Sequence, residues 1–508
     1  MSKNFEANAA YQNFDKLFID GRWKAGGSKP RPNLNPWTEQ PIGEVAQASE
    51  ADLNAAYDAA TRAQPAWAAK LPSERAQVFA KVAQIMEQRR DEIIGWIVRE
   101  AGGTLLKASL EWKSVQGVML EASSLPYMVE GKILPNDTLG KESRVYRKPV
   151  GVVGVISPWN WPFQLSARSL APAMAVGNAV VLKPASDTPI TGGLLFAKLF
   201  EEAGLPPGIL NVIPGSGGEI GDAFVKHPAP RVISFTGSTP VGRGIGKIAY
   251  EAAIIKRLEL ELGGDSPLVV LADADLDLAV EAAVFGKFLH QGQICMISNR
   301  LIVEAPIYDE FVDRFTARVK GLKMNGPDDP ETFIGPIINR DQLKSVQETI
   351  ALARGAGYRQ LAGGEAQGLL LPPHVFAGVE PEGALYRREI FGPVAPVIRA
   401  ANADEALRIA NDTDYGLSSA VFTRDLEKGV RFARSIEAGM AHVNDQPVND
   451  LPFSPFGGEK NSGIGRFNGR WAVDAFTTDQ WVTLQHEARP YPFDARILSP
   501  GASESVGG

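Results

Sequence analysis

The stretch Val232-Ile233-Ser234-Phe235-Thr236-Gly237-Ser238-Thr239-Pro240-Val241-Gly242 decides the fold. A largely apolar run passes through small residues and enters a helical pattern over 243–252. Apolar runs that do not alternate fit a strand covered on both faces, as in a parallel sheet. Small residues between such a strand and a helix expose backbone N–H groups at the helix's positive end, where phosphate oxygens bind. One strand earlier, Pro214-Gly215-Ser216-Gly217-Gly218-Glu219-Ile220-Gly221 makes a second such turn, with Gly217 and Gly221 at its corners. Neither segment has the Gly-x-Gly-x-x-Gly spacing, so each alone is a weak sign of a nucleotide: glycine turns between strands and helices are common.

Further apolar runs lie at 151–156, 179–182 and 210–213, with helical stretches such as 192–203 between them. This is the rhythm of a doubly wound α/β sheet. It resumes after Gly264, with a strand at 267–271, a helix at 276–288 and a strand at 299–303, which predicts a second α/β domain. Near the N-terminus, Asp20-Gly21 between Leu17-Phe18-Ile19 and Arg22-Trp23-Lys24 signals a hairpin, and Ser49 with Asp52 signals a capped helix start. A second helix is predicted near Ser73, with Val78, Val82, Ile85 and Met86 on its core face, and the helical block runs to about 125. Segments 134–146 and 479–485 alternate in polarity, like exposed strands in need of a partner.

At 508 residues the chain exceeds what one core serves, so two or more domains are expected. A net charge of −7 argues against a nucleic-acid surface. One cysteine excludes an intramolecular disulfide and fits a reducing compartment. The first 20 residues lack a long apolar run, and the apolar stretch 170–182 is too short to span a bilayer and holds Asn178. A cytoplasmic protein with no membrane partner is expected. One cysteine and five scattered histidines show no ligand spacing, so no metal is expected.

That cysteine, Cys295, sits in Gln291-Gly292-Gln293-Ile294-Cys295-Met296. Upstream lie Glu261-Leu262-Gly263-Gly264 and Pro158-Trp159-Asn160-Trp161-Pro162. Acyl chemistry at a carbonyl needs a nucleophile, a base and an oxyanion donor, and Cys295, Glu261 and Asn160 are residues of those types. Each also has an ordinary reading. A free cysteine is usually a small buried hydrophobe, a lone glutamate is surface, an asparagine among prolines bonds its own turn, and tryptophans fill cores. A cysteine hydrolase or acyl transferase would want a histidine for its thiol, and neither His290 nor the other four histidines carries a motif aimed at Cys295. An inactive binding protein is the non-enzyme alternative.

Together these segments, with Lys183-Pro184-Ala185-Ser186, Glu389-Ile390-Phe391-Gly392-Pro393 and Ser454-Pro455-Phe456-Gly457-Gly458, resemble the aldehyde dehydrogenase superfamily in type and order. Segments 181–189, 231–242 and 288–296 look most like its benzaldehyde and vanillin dehydrogenase branch. The resemblance implies a fold of two doubly wound α/β domains, one Rossmann-like for the cofactor and one catalytic, plus a small β oligomerisation element. By that reading 1–133 and 147–260 bind NAD(P), 261–450 is catalytic, 134–146 and 479–495 are oligomerisation strands, 451–478 returns to the cofactor domain, and 496–508 is a disordered tail. It implies NAD(P)-dependent oxidation of an aromatic aldehyde to the acid, with Cys295 as nucleophile, Asn160 and the Cys295 backbone N–H as oxyanion donors, and Glu261 as the base that activates water. A broad-range, aliphatic or semialdehyde dehydrogenase is the alternative within the family. Ile156, Trp159, Lys183, Ser186, Gly217, Gly221, Phe235, Gly237, Ser238, Gln342, Glu389 and Phe391 are implied to hold the cofactor. Trp161, Leu165, Ile294, Met296, Asn449, Asp450 and Phe456 are implied to line the substrate tunnel, with Trp161 and Phe456 as flat walls for an aromatic ring. Two departures stand out. Serine replaces the acid many relatives carry at Ser186, which leaves NADP open beside NAD, and Ser169 replaces a lysine, with Arg168 as its neighbour. Relatives assemble as dimers or dimer pairs, so a homodimer or homotetramer is expected.

Overall fold

The computed structural model describes residues 9–489 except 382 and 384, together with 491 and 493. The 496–508 tail lies outside them. Two large sheets organise the chain. The first runs in the order Arg22–Lys24, Leu17–Ile19, Leu210–Val212, Ala179–Lys183, Val152–Ile156, Pro230–Thr236, Arg257–Glu261, Gly463–Ile464. Its five central strands are parallel, and the unbroken apolar runs of Val152–Ile156 and Ala179–Lys183 are buried on both faces; Arg257–Glu261 alternates and is buried only at its carboxyl end. The chain leaves Val152–Ile156 toward one edge, then returns to its other side with Pro230–Thr236. That reversal creates a crevice at the carboxyl ends of these two strands, the usual ligand position in an open α/β sheet.

The second sheet runs Arg359–Ala362, His374–Ala377, Val394–Ala400, Arg300–Glu304, Pro267–Val270, Ala420–Phe422, His442–Val443, parallel except at its first strand. Alternate residues of its strands enter two separate cores: Val269, Ile302 and Val421 one, Leu268, Val270, Leu301 and Val303 the other. Both faces are therefore covered. A third, antiparallel sheet joins Thr477–Gln485, Lys141–Pro149 and Lys132–Leu134, the segments whose alternation marked them as exposed strands.

Local signals behave as their chemistry dictates. Asp20 and Gly21 both take positive φ, 54° and 70°, which two-residue hairpins demand. Ser49 and Asp52 form a reciprocal capping box. The helix predicted from 243 starts earlier, at Thr239, because Pro240 sits in the first turn, where its missing N–H is no loss. The 192–203 helix opens with a π-helical turn, Ile190–Leu194. Among the described residues no helix is long and apolar enough to cross a membrane.

Candidate active site

The site is built on the helix Pro162–Ala175, all of whose residues are buried. Its open N-terminal end is received by Glu111, whose Oε1 accepts from the backbone of Phe163 at 2.9 Å and Gln164 at 3.2 Å. Glu111 is in turn paired with Lys107 in a fully buried ion pair, and Lys107 Nζ lies 4.9 Å from the Trp161 ring centre. The turn carrying Asn160 and Trp161 is thus clamped from behind. Asn160 Nδ2 donates to the Gln293 carbonyl at 3.0 Å, tying this turn to the cysteine loop.

That loop is bent by three successive positive φ values, at His290, Gln291 and Gly292. A Cβ on Gly292 would stand 2.4 Å from the Gly392 carbonyl oxygen, so only glycine fits. The bend turns Gln291 onto the Pro336 carbonyl and Gln293 onto the Ile338 N–H, at 2.7 and 3.1 Å. Such strained backbone persists only where its surroundings over-determine it.

Two cavities meet at Cys295. One, of about 220 Å³, is walled by Trp161, Leu165, Phe285, Ile294, Met296, Asn449, Asp450 and Phe456, with Leu110, Ser114, Gln164, Leu289 and Val448 completing it. The other, of about 250 Å³, lies in the sheet crevice and is walled by Trp159, Thr236, Gly237, Ser238, Glu261, Gln342, Glu389 and Phe391. Asn160, Leu165 and Cys295 face both.

Cys295 is only 8% exposed and packs with Trp161, Ile294, Met296, Phe456 and Phe467. Burial pushes its thiol well above the usual range, and the nearby Glu261 charge adds to this. The flanking Gln291 and Gln293 do not make the setting polar, because their side chains turn away and apolar neighbours close in. Glu261 ends the strand Arg257–Glu261, fully buried. Burial raises its carboxyl and the Arg168 guanidinium opposes the rise. Its Oε2 accepts from Arg168 Nη2 at 3.1 Å, and its Oε1 has no protein hydrogen-bond partner. Glu389 is pushed up to about 7 by burial, and its Oε1 accepts from Gly264 N at 3.0 Å.

All seven residues expected at the substrate wall line the first cavity. Asp450 is already occupied, however, by Gln164 (2.7 Å), Arg168 (3.3 Å) and Asn468 (2.6 Å), and Asn449 donates to Gln446. Of the residues expected at the cofactor, Trp159, Gly237, Ser238, Gln342, Glu389 and Phe391 line the second cavity. Gln342 holds the Phe391 carbonyl at 2.8 Å. The others sit differently. Ile156 ends its strand just before the crevice, half-buried. Phe235 is core: its ring lies under Gly237, 2.5 Å from where a Cβ would stand. Lys183 Nζ donates to the carbonyls of Pro184 and Gly215, and burial lowers its ammonium to about 8. Gly217 and Gly221 bound a π-helical turn and are not among the residues walling the second cavity. Ser186 opens on a separate cavity with Glu39, Asp187, Asn339 and Arg340. Among the described residues no group of three or more His, Cys, Asp or Glu is placed to hold a metal ion.

The aldehyde dehydrogenase family pattern matches residues 23–482 of this chain. The chain belongs to the aldehyde dehydrogenase family. It is 49% identical to a vanillin dehydrogenase of Corynebacterium glutamicum over 92% of this chain and 97% of that one. It is 47% identical to a benzaldehyde dehydrogenase of Bacillus subtilis over 95% and 99%. The crystal structure of a NAD-dependent benzaldehyde dehydrogenase from Corynebacterium glutamicum superposes with a TM-score of 0.88 at 46% identity, covering 96% of this chain and 100% of that one.

In this aldehyde dehydrogenase, motif reading named Ser169 and Arg168 as a departure without giving Arg168 a role, and it missed Lys107 and Glu111. Ser169 is buried, and its Oγ accepts from Ser234 Oγ at 2.9 Å. Arg168 is 1% exposed and touches both Glu261 and Asp450. Its signal was available: a lone arginine inside an otherwise apolar helix is almost never buried unpaired. Lys107 and Glu111 gave no such signal, because a Lys–Glu pair four apart usually decorates a solvated helix face.

Proposed function

We propose that this chain oxidises aromatic aldehydes to carboxylic acids with NAD, using Cys295 as nucleophile, Asn160 as oxyanion donor and Glu261 as base. The observation that carries this is the meeting of an aromatic-walled cavity and a sheet-crevice cavity at one thiol. The relatives named for vanillin and benzaldehyde support the substrate class.

The crevice residues fit the nicotinamide half of a dinucleotide. The Glu389 carboxylate is an acceptor for ribose hydroxyls, the Trp159 and Phe391 rings stand edge to face at 5.5 Å, and Ser238 precedes a 13-residue helix whose first-turn N–H groups suit a phosphate. A nicotinamide held there by Trp159, Glu389 and Phe391 would supply the hydride acceptor for the oxidation. The protein's part is as follows. Cys295 first gives up its thiol proton to solvent; the thiolate Sγ then bonds the aldehyde carbon, and the carbonyl π electrons move to oxygen. Asn160 Nδ2 and the Cys295 N–H meet that oxygen; one such donor contributes about 3 kcal/mol. Once a thioester stands on Cys295, Glu261 takes a proton from water as the water oxygen bonds the acyl carbon, and the C–S bond breaks to release the acid.

Absorbance of reduced nicotinamide tests the reading across aldehydes. Benzaldehyde and vanillin are expected to exceed a straight-chain aldehyde in kcat/KM by roughly tenfold or more, as one pocket's apolar contacts allow. A clear preference for the straight-chain aldehyde would refute the aromatic assignment. With no acid at Ser186, turnover with NADP is also expected, and strict NAD dependence would refute that part.

We also propose that residues 1–133 and 147–260 form the cofactor domain, 261–450 the catalytic domain and 451–478 the return to the first. Segments 134–146 and 479–495 then serve self-assembly. Ile133 and Trp481 stand exposed on the two outer strands of the three-stranded sheet, and each outer strand is an edge able to meet a second copy. Native mass spectrometry is expected to show a dimer or tetramer that Trp481→Glu weakens; a monomer in the wild type would refute this.

A further inference from the structure

We infer that Arg168 is a positioning residue for this reaction, a fixed cation that pins one oxygen of Glu261 and leaves the other facing the reacting groups. The inference rests on the proposed roles of Cys295 and Glu261. Three observations carry it. First, the Glu261 oxygens are unlike: Oε2 is held by Arg168 Nη2 at 3.1 Å, while Oε1 is buried and not held by Arg168, and the Cys295 thiol is the carboxylate's other polar neighbour. A buried acceptor left open beside a cavity is either costly or in use. Second, the guanidinium itself cannot wander. Nη1 reaches Asp450 Oδ2 at 3.3 Å, and the rings of Phe456 and Phe467 stand 4.1 and 4.6 Å from its central carbon. Third, the other charges that bear most on the thiol are acidic. Glu261 faces Arg168, Asp450 and Cys295, and Cys295 also feels Glu389.

Arginine suits this seat as lysine would not. It stays charged when buried, and its planar fork reaches two carboxylates from one position. Without it Glu261, Asp450 and the thiol would face one another unopposed in a dry site, and the anionic form of each would be disfavoured. Asp450 also lines the substrate cavity, so the same guanidinium joins the substrate wall to the base.

The test uses Arg168→Met and Arg168→Lys in the full-length enzyme. Cys295 is the only cysteine, so iodoacetamide alkylation reports its thiolate alone. In the wild type the alkylation rate is expected to be still climbing above the pH range of an ordinary thiol, because burial raises this one. In Arg168→Met the midpoint is expected about one unit or more higher, as loss of an opposite charge at this range dictates. Steady-state kcat near neutral pH should fall roughly a hundredfold while KM for the aldehyde changes far less. Arg168→Lys should recover part of both. A wild-type alkylation profile in Arg168→Met, or a change confined to KM, overturns the inference. Should Arg168→Met fail to fold, Asp450→Asn gives a second reading. Its loss of negative charge near Glu261 should move the acidic limb of kcat to lower pH, and a limb that stays or rises overturns the inference equally. Cys295→Ala and Glu261→Gln separate the two levels. If either turns over normally the proposed mechanism falls; if both are crippled and Arg168→Met is not, only the role of Arg168 falls.

Discussion

Cys295→Ala is expected to reduce aldehyde-dependent formation of reduced nicotinamide by about 10⁴-fold or more, the scale at which an enzyme loses its covalent nucleophile. Nothing near the thiol can substitute for it. The other polar groups around the two cavities are amides, carboxylates and unactivated hydroxyls, and His290 lines neither. The loss would not report unfolding. The thiol sits in a small apolar cluster, and removing one buried sulfur there costs about 1 kcal/mol. Melting within a few degrees of wild type, with dinucleotide binding retained in calorimetry, is therefore expected alongside the lost rate. Residual activity near a tenth of wild type would place the chemistry elsewhere.

How much of this was legible in the sequence follows from which forces act locally. The parallel strands were legible because burial on both faces leaves unbroken apolar runs, as at Val152–Ile156 and Ala179–Lys183. The hairpin at Asp20-Gly21 and the capped start at Ser49 are set by neighbours in the chain, and both formed. The crevice was not legible that way, since it depends on strand order, which apolar runs do not encode. Residues 160, 261 and 295 lie far apart, and family resemblance rather than spacing brought them together. The cofactor residues divide on the same ground. Gly217 and Gly221 make a turn that any strand-to-helix junction would favour, and nothing in glycine spacing says which cavity, if any, a turn faces. The surroundings of Cys295 were not legible from its polar neighbours, because three left-handed residues redirect Gln291 and Gln293 onto distant backbone. Arg168 showed itself only as a charge in the wrong place.

Glu261→Gln should separate the two halves of the reaction. Glutamine keeps the shape of glutamate and an oxygen for Arg168 Nη2, so the helix Pro162–Ala175 and its guanidinium should stay in place. It removes the negative charge beside Cys295, which together with burial holds the thiol up. The sign follows: with that charge gone the thiol titrates at lower pH, and iodoacetamide should label the variant faster than wild type at neutral pH. The same change removes the group proposed to take a proton from water, and loss of a general base lowers rates by about 10² to 10⁴. Attack on the aldehyde should therefore survive while release of the acid stalls. Stopped-flow absorbance is expected to show a burst of reduced nicotinamide close to one per active site, followed by a steady rate lower by about 10³. Hydroxylamine attacks a thioester without help from a base, so adding it should restore turnover. A variant with no burst, slower labelling and no rescue would mean that Glu261 serves the thiol's attack rather than hydrolysis, and the assignment of its free oxygen to water would have to be abandoned.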